Sequence, residues 1–315
     1  MPVTSQAWAV SDYGPAETLR PVEIALAEPG AGELLVRVEA MSLNPLDLKI
    51  MSGQMRDSMP VAMPFVPGSD LVGVVTDAGA NAPASVGDRV VVGMWSGALA
   101  HHAAVPASAH VVATPHSGPA ADLAALPMAA LTANFILRDL GSVQRRTMAI
   151  IGATGGVGLA LVQLASAAGA TVYASSGSDE DAALVQSNGA AEAICHRDGA
   201  FVARLLGRVP GGADIVVDLV TMFDRLSISA SGVRDGGVLL STLFGPDPST
   251  FADRITMRYI RLKPWPADLD AVVRRYEAGL LRANVSRTFS FDQGRQAYLA
   301  LRDEHVRGKI AVIVE

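Results

Sequence analysis

Residues 149–165 read AIIGATGGVGLALVQLA, and this stretch constrains the fold more than any other. Ala149 to Ile151 carry no polar side chain, which suits a strand buried on both faces, as in a parallel sheet. Gly152, Gly155, Gly156 and Gly158 allow a tight turn and a close approach of backbone to ligand, where a Cβ would collide. Val157, Leu161, Leu164 and Ala165 then recur at helical spacing, so a helix begins inside the loop. Its free N–H groups and dipole favour an anion such as a pyrophosphate. Written Ala153-x-Gly155-x-x-Gly158, the segment is the dinucleotide fingerprint with Ala153 at the first glycine position. The competing reading is a plain strand–helix turn. The context, a strand before, a helix after and a βαβ series downstream, favours the ligand. Thr154, Gly156 and Val157 complete the candidate loop.

Short β runs and helical segments alternate after the loop. Strands are expected at Thr171–Ala174, Glu192–Cys195, Ile215–Leu219, Gly236–Ser241 and Thr256–Ile260, with a helix in DEDAALVQSNG ending at Gly189. Six strands alternating with helices predict right-handed crossovers and a doubly wound parallel sheet. The first 118 residues have a different texture: GELLVRVEAMSLNP alternates apolar and charged residues, and short Val-rich runs follow between Pro and Gly. That pattern predicts a turn-rich β-barrel. An Ala/Leu-rich segment, DLAALPMAALTANFILRDLG, reads as one helix between the two regions. The tail, from ADLDAVVRRYEAGLL to GKIAVIVE, is expected to rejoin the barrel, because a sheet completed at its sixth strand has no place for it. The resulting partition is 1–119, 120–261 and 262–315, the first and last parts forming one domain. At 315 residues, two cores are the natural expectation.

Composition narrows the partners. A formal net charge of −6 with no basic run disfavours nucleic acid and anionic membranes. No membrane-type apolar segment appears, and the N-terminus lacks a basic leader, so cytoplasmic residence is expected. The single Cys195 excludes an intrachain disulfide and a cysteine-based zinc cluster; its apolar setting, AEAIC, predicts a buried, inert thiol. His101 and His102 are adjacent, so on a strand they face opposite ways and do not share a metal. No functional metal is expected.

Several short motifs, in order and over the whole length, resemble the medium-chain dehydrogenase/reductase superfamily, in its zinc-free quinone oxidoreductase-like branch. They are Asn44-Pro45-Leu46-Asp47, Pro67-Gly68-Ser69-Asp70 running into LVGVV, Gly87-Asp88-Arg89-Val90, Leu131-Thr132-Ala133 ahead of the glycine loop, and Arg307-Gly308-Lys309 before the last strand. The resemblance implies an α/β chain: a GroES-like β-barrel domain interrupted by a Rossmann domain, with the active site in the cleft between them. Zinc-dependent relatives carry Gly-His-Glu where this chain has Gly68-Ser69-Asp70, and the four-cysteine structural lobe is missing.

In NAD-selecting Rossmann domains an acid ends the second strand and binds the ribose hydroxyls. Here that strand ends Tyr173-Ala174-Ser175-Ser176, and Ser175 and Ser176 offer hydroxyls to a 2′-phosphate. Asp179, Glu180 and Asp181 follow, an opposing field that is also an ordinary first-turn preference. Relatives often place a Tyr-Arg pair after the third strand; His196 and Arg197 hold that place, so Arg197 is the candidate cation. NADPH is expected over NADH.

Without a metal, hydride delivery needs an acceptor that is already electrophilic. Quinones and α,β-unsaturated carbonyls qualify. By resemblance, Asn44 lines the nicotinamide and substrate end; its other reading is an Asn-Pro turn residue. Thr132 is a candidate contact to the nicotinamide or its ribose, and Lys309 to the cofactor, while Asp47 and Asp70 are read as structural. Many quinone reductases of this branch have tyrosines just after the Asn-Pro turn. This chain has Lys49 and Met55 there, and no tyrosine follows the turn until Tyr173. Lys49 is a candidate proton donor or polarising group, against a snorkelling surface lysine. Met51, Met55, Met59 and Met63 either line an adaptable pocket or simply pack a loop.

The sequence thus predicts a zinc-independent, NADPH-dependent oxidoreductase acting on quinones or conjugated carbonyls, a homodimer through the edge strand after Thr256. Two alternatives stand beside it: an enoyl reductase acting on a thioester or natural-product intermediate, and a non-catalytic NADPH-binding regulatory protein.

Overall fold

The computed structural model describes residues 3–114, 118–260 and 268–314. The chain divides into two compact units, Met1–Leu131 with Pro264–Glu315, and Thr132–Lys263. The division follows Leu131, inside the helix Pro127–Leu140; the expected 261/262 boundary lies outside the described residues.

The second unit is a six-stranded parallel sheet. Across it run Glu192–Cys195, Thr171–Ser176, Thr147–Ile151, Ala213–Asp218, Val233–Ser241 and Thr256–Tyr259. The sheet grows in one direction from Thr147–Ile151 and then reverses to Ala213–Asp218, so the ligand crevice of a doubly wound sheet falls at the carboxyl ends of these two strands. Met148, Ala149 and Ile150 are fully buried, as their unbroken apolar run requires. Val216, Leu239 and Met257 from neighbouring strands pack with Phe201, Val202 and Leu205 of the helix Phe201–Arg208. Four expected strands differ in extent. Thr171–Ser176 runs two residues further, Val233–Ser241 starts three earlier, Ala213–Asp218 replaces Ile215–Leu219, and Thr256–Tyr259 stops one short. Polar residues at strand ends hide strand length from an apolar pattern.

The first unit is built on a seven-stranded sheet. Its path is Val285–Ser290, Lys309–Ile313, Leu34–Ser42, Asp70–Ala78, Arg89–Gly93 and His110–Ala113, with His102–Val105 also paired to Leu34–Ser42. The tail therefore supplies two strands to the barrel sheet. A hairpin of Val3–Ala9 and Arg20–Leu26 joins it through Trp8, whose amide donates to Leu99 O and whose indole Nε1 donates to Phe291 O at 2.8 Å. Met51 lies in the barrel core, and Met55, Met59 and Met63 pack against it. The methionines serve packing.

The Ala/Leu-rich segment is two helices, Ala120–Ala124 and Pro127–Leu140. This corrects the expectation of one continuous helix, and the cause is Pro127. It lacks the N–H that the interior of a helix would need, but it suits a first turn.

Candidate active site

The glycine loop leaves the strand Thr147–Ile151 through Gly152, whose φ of 82° lies in the left-handed region. A Cβ on Gly152 would stand 2.7 Å from Val220 Cγ1. The helix Gly156–Ala167 starts with Gly155 as its N-cap. Gly158 is the tightest point: a Cβ there would lie 2.2 Å from Gly152 O and 2.7 Å from the Ala153 backbone. Around Gly155, by contrast, a Cβ would meet nothing nearer than 3.7 Å. One glycine locks the turn and another leaves room above it, beside N–H groups of the first helical turn that have no intrahelical acceptor. This arrangement fits a pyrophosphate. Ala153 is fully buried and Thr154 nearly so, which leaves Gly155, Gly156 and Val157 as the accessible part.

The serines at the second strand tip do something other than the sequence suggests. Ser175 and Ser176 are both buried, and Ser175 Oγ accepts from Gly152 N at 2.9 Å and from Ala153 N at 3.3 Å. Ser175 is therefore a strap holding the glycine loop through its acceptor lone pairs, a task the sequence did not suggest. His196 and Arg197 are exposed after the third strand; His196 N donates to Ser176 O, and the imidazole lies beside Gly177. Arg197 has no partner among the described residues. Ser178 caps the helix Asp179–Ser187, and the buried Asp181 accepts from Gly177 N at 2.9 Å. The acids thus serve the helix start. No carboxylate occupies positions 173–177, at the end of the second strand. Cys195 is exposed, which corrects the expectation of a buried thiol: it ends the strand Glu192–Cys195 beyond the buried Ile194.

The first unit carries a buried polar cluster. Asn44 is the N-cap of the short helix Pro45–Met51, and its N–H donates to Asp47 Oδ2 at 2.9 Å in a capping box. Asn44 Nδ2 donates to Asp70 Oδ2 at 2.9 Å, and Lys309 Nζ donates to Asn44 Oδ1 at 2.6 Å. Lys309 Nζ also donates to Leu43 O at 2.7 Å and to Asp70 Oδ2 at 3.4 Å. All three ammonium hydrogens are spent within the protein, so Lys309 is an internal cation in this structure. Ser42 Oγ donates to the same Asp70 oxygen, and Met128 N donates to Asp70 Oδ1. Asp47 further accepts from Ser69 Oγ and from Tyr298 Oη, each at 3.0 Å. Asp70 and Tyr298 are fully buried.

Burial dominates the electrostatics here. It pushes Asp47 up to about 6 despite its donors, with the Asp70 charge adding to the rise. It pushes the Lys309 ammonium below its usual range, and Asp70 and Asp47 oppose that fall. Burial and then the Asp47 charge hold the Tyr298 phenol well above its usual range, so it remains a donor. Lys49 is half-buried on the helix Pro45–Met51, and Thr132 is buried in Pro127–Leu140. An apolar pocket in this unit is lined by Met94, Trp95, Pro106, Ala109, Met128 and Leu131, and Asp70 also borders it.

Sequence reasoning missed Tyr298 and Asp218. Asp218 ends the fourth strand, fully buried, accepting from Val220 N, Thr221 N and Ser229 Oγ. A carboxylate at the end of an apolar run, DIVVD, was the available signal. Tyr298 carried none, because its partner is 251 residues away.

Residues 30–127 match the alcohol dehydrogenase GroES-like domain and residues 156–263 match the zinc-binding dehydrogenase domain. The chain belongs to the medium-chain dehydrogenase/reductase superfamily, in its quinone oxidoreductase-like group. It is 30% identical to a chloroplastic quinone-oxidoreductase homolog of Spinacia oleracea, over 95% of each chain. It is 27% identical to the chloroplastic NADPH-dependent alkenal/one oxidoreductase of Arabidopsis thaliana, over 99% of this chain and 80% of that one. A mycobacterial protein solved in complex with NADPH superposes with a TM-score of 0.86 at 25% identity, over 98% of this chain and 100% of the other.

Among the described residues no three His, Cys, Asp or Glu side chains are grouped to hold a metal ion. No described helix is long and apolar enough to cross a membrane.

Proposed function

We propose that this chain is an NADPH-dependent oxidoreductase that reduces quinones or α,β-unsaturated carbonyls without a metal ion. The observation that carries the reading is the glycine loop at the carboxyl end of Thr147–Ile151, open above Gly155 and strapped from below by Ser175. Likeness to a quinone oxidoreductase homolog and to an NADPH-dependent alkenal/one oxidoreductase supports the substrate class. Bound NADPH supplies the hydride, and the protein's part is to bind, orient and polarise.

Gly155, Gly156 and Val157 hold the pyrophosphate, with Ala153, Thr154 and Gly158 shaping the turn beneath it. The second strand ends at Ser176 with no acid to compete with a 2′-phosphate, and Arg197 with His196 supplies positive charge and donors nearby. The pocket beside Trp95 and Met128 takes the apolar body of the acceptor. Asn44 donates to a ligand oxygen, Thr132 contacts the nicotinamide end, and Lys49 polarises the acceptor or returns the proton. Dimerisation through the edge strand Thr256–Tyr259 and cytoplasmic residence belong to the same proposal; an uncovered edge would otherwise invite aggregation. Fluorescence titration with the two reduced cofactors tests the reading. NADPH binds more tightly than NADH if it holds, and tighter NADH binding rejects the cofactor assignment.

A further inference from the structure

Lys309 and Asp70 form a buried ion pair that bridges the last barrel strand to the strand Asp70–Ala78, and Asn44 lies between them. A carboxamide has two ends that look alike in shape and differ in chemistry, since oxygen accepts and nitrogen donates. Lys309 Nζ can only donate, so it fixes Oδ1 towards itself at 2.6 Å. Asp70 Oδ2 can only accept when ionised, so it fixes Nδ2 towards itself at 2.9 Å. The two charges agree on one orientation and exclude the other. Asn44 is nearly buried, and the second Nδ2 hydrogen has no acceptor among the described residues.

We propose that Lys309 and Asp70 are positioning residues that lock the Asn44 carboxamide so that its spare Nδ2 hydrogen is presented to an oxygen of the bound ligand. The ligand oxygen is a carbonyl or hydroxyl, from either the acceptor or the cofactor ribose. This deepens the proposed function and rests on it. It also assigns the ion pair a task beyond stability: a locked donor needs no reorganisation when charge develops on the acceptor oxygen.

The double substitution Lys309→Met with Asp70→Asn separates the two roles. Removing both members of the ion pair leaves neither one buried without its partner, so the barrel remains folded. The new amide at position 70 then faces Asn44 with a donor, and with the lysine gone the Asn44 carboxamide turns over to offer its oxygen. The expected result is a thermal midpoint close to that of the wild type with kcat for 1,4-naphthoquinone lowered about 10- to 100-fold, and an NADPH Kd that stays close to wild type if the acceptor is the partner and rises if the ribose is. A kcat within about twofold of wild type overturns the proposal, and so does a loss of rate that only follows a loss of folded protein.

A measurement on the unaltered protein covers failure of the variant to fold. The Asn44 side-chain amide signals in a 15N-labelled sample shift on adding NADPH if the ribose is the partner, or only on adding naphthoquinone to the NADP-bound protein if the acceptor is. Signals unmoved by either ligand overturn the proposal. If the wild type binds NADPH but reduces no acceptor, the proposed function fails by itself, and the amide signals still decide the fate of the lock.

Discussion

The two units hold their candidate sites by opposite means. In the sheet unit the loop from Gly152 to Gly158 is shaped by what is missing, since a Cβ at Gly158 would run into backbone at 2.2 Å. In the barrel unit the cluster around Asn44 is shaped by what is present, namely paired charges and donors almost wholly removed from water. The first is damaged by adding atoms and the second by deleting a partner. The contrast extends to their carboxylates. Asp47 is pushed up to about 6 by burial. At Asp214 burial also opposes the charge, but Thr147 N, Thr147 Oγ and then Arg234 outweigh it and bring the carboxyl down to about 2.

The largest effect is expected from Lys309→Met alone. It leaves Asp70 charged, fully buried and without its cation, a loss of about 3–5 kcal/mol that urea unfolding would register. A loss below about 1 kcal/mol would mean that water already reaches the cluster, and the contrast would weaken. Gly158→Ala comes next. The methyl group meets backbone that cannot turn aside, so about 3 kcal/mol of stability and at least about 100-fold in NADPH affinity are expected to go. Calorimetry of the variant gives both numbers, and unchanged affinity would remove the loop from the cofactor site.

The pH dependence sharpens the comparison from both sides. The folded pKa of Asp214 lies below its unfolded value of about 3.9, so its contribution is present above that value and fades as pH falls towards 2. Asp47 has the opposite sign: its folded value is raised, so its contribution is complete below about pH 4 and is lost as pH rises through about 6. Asp214→Asn should therefore be less stable than wild type by about 1–3 kcal/mol at pH 6, with the gap closing as the pH approaches 2. A gap that is constant with pH would deny the charge its role. The smallest change is Ser175→Ala, which frees the amides of Gly152 and Ala153 and costs about 1 kcal/mol. NADPH affinity should fall modestly, and a rise in affinity would show that the strap opposes binding.

Much of the architecture was legible because its signals are local. The run AII, the glycines and the helical stripe from Val157 to Ala165 all lie within one short segment, and the topology rules for βαβ units do the rest. Pro127 was equally visible as a helix breaker, but the apolar residues on both sides of it make the two helices look like one. The polar cluster was legible only in pieces. Asn44, Asp47 and Asp70 stand in turn motifs, but nothing local says that Lys309 meets Asn44 across 265 positions or that Tyr298 caps Asp47. The strap role of Ser175 was hidden for a related reason: a serine at a strand tip looks the same whether its hydroxyl points outward or folds back under the glycine loop. Cys195 shows the limit of apolar context, since strand residues alternate in exposure and Ile194 took the buried side.

The most direct test of the central claim is the steady-state oxidation of NADPH by 1,4-naphthoquinone and by a conjugated enone, using protein dialysed against a chelator and followed by the loss of reduced-nicotinamide absorbance. The account predicts turnover of at least one acceptor at a rate unchanged by chelation, faster with NADPH than with NADH. Saturable NADPH binding without turnover of any acceptor, or activity that returns only with added zinc, would contradict it.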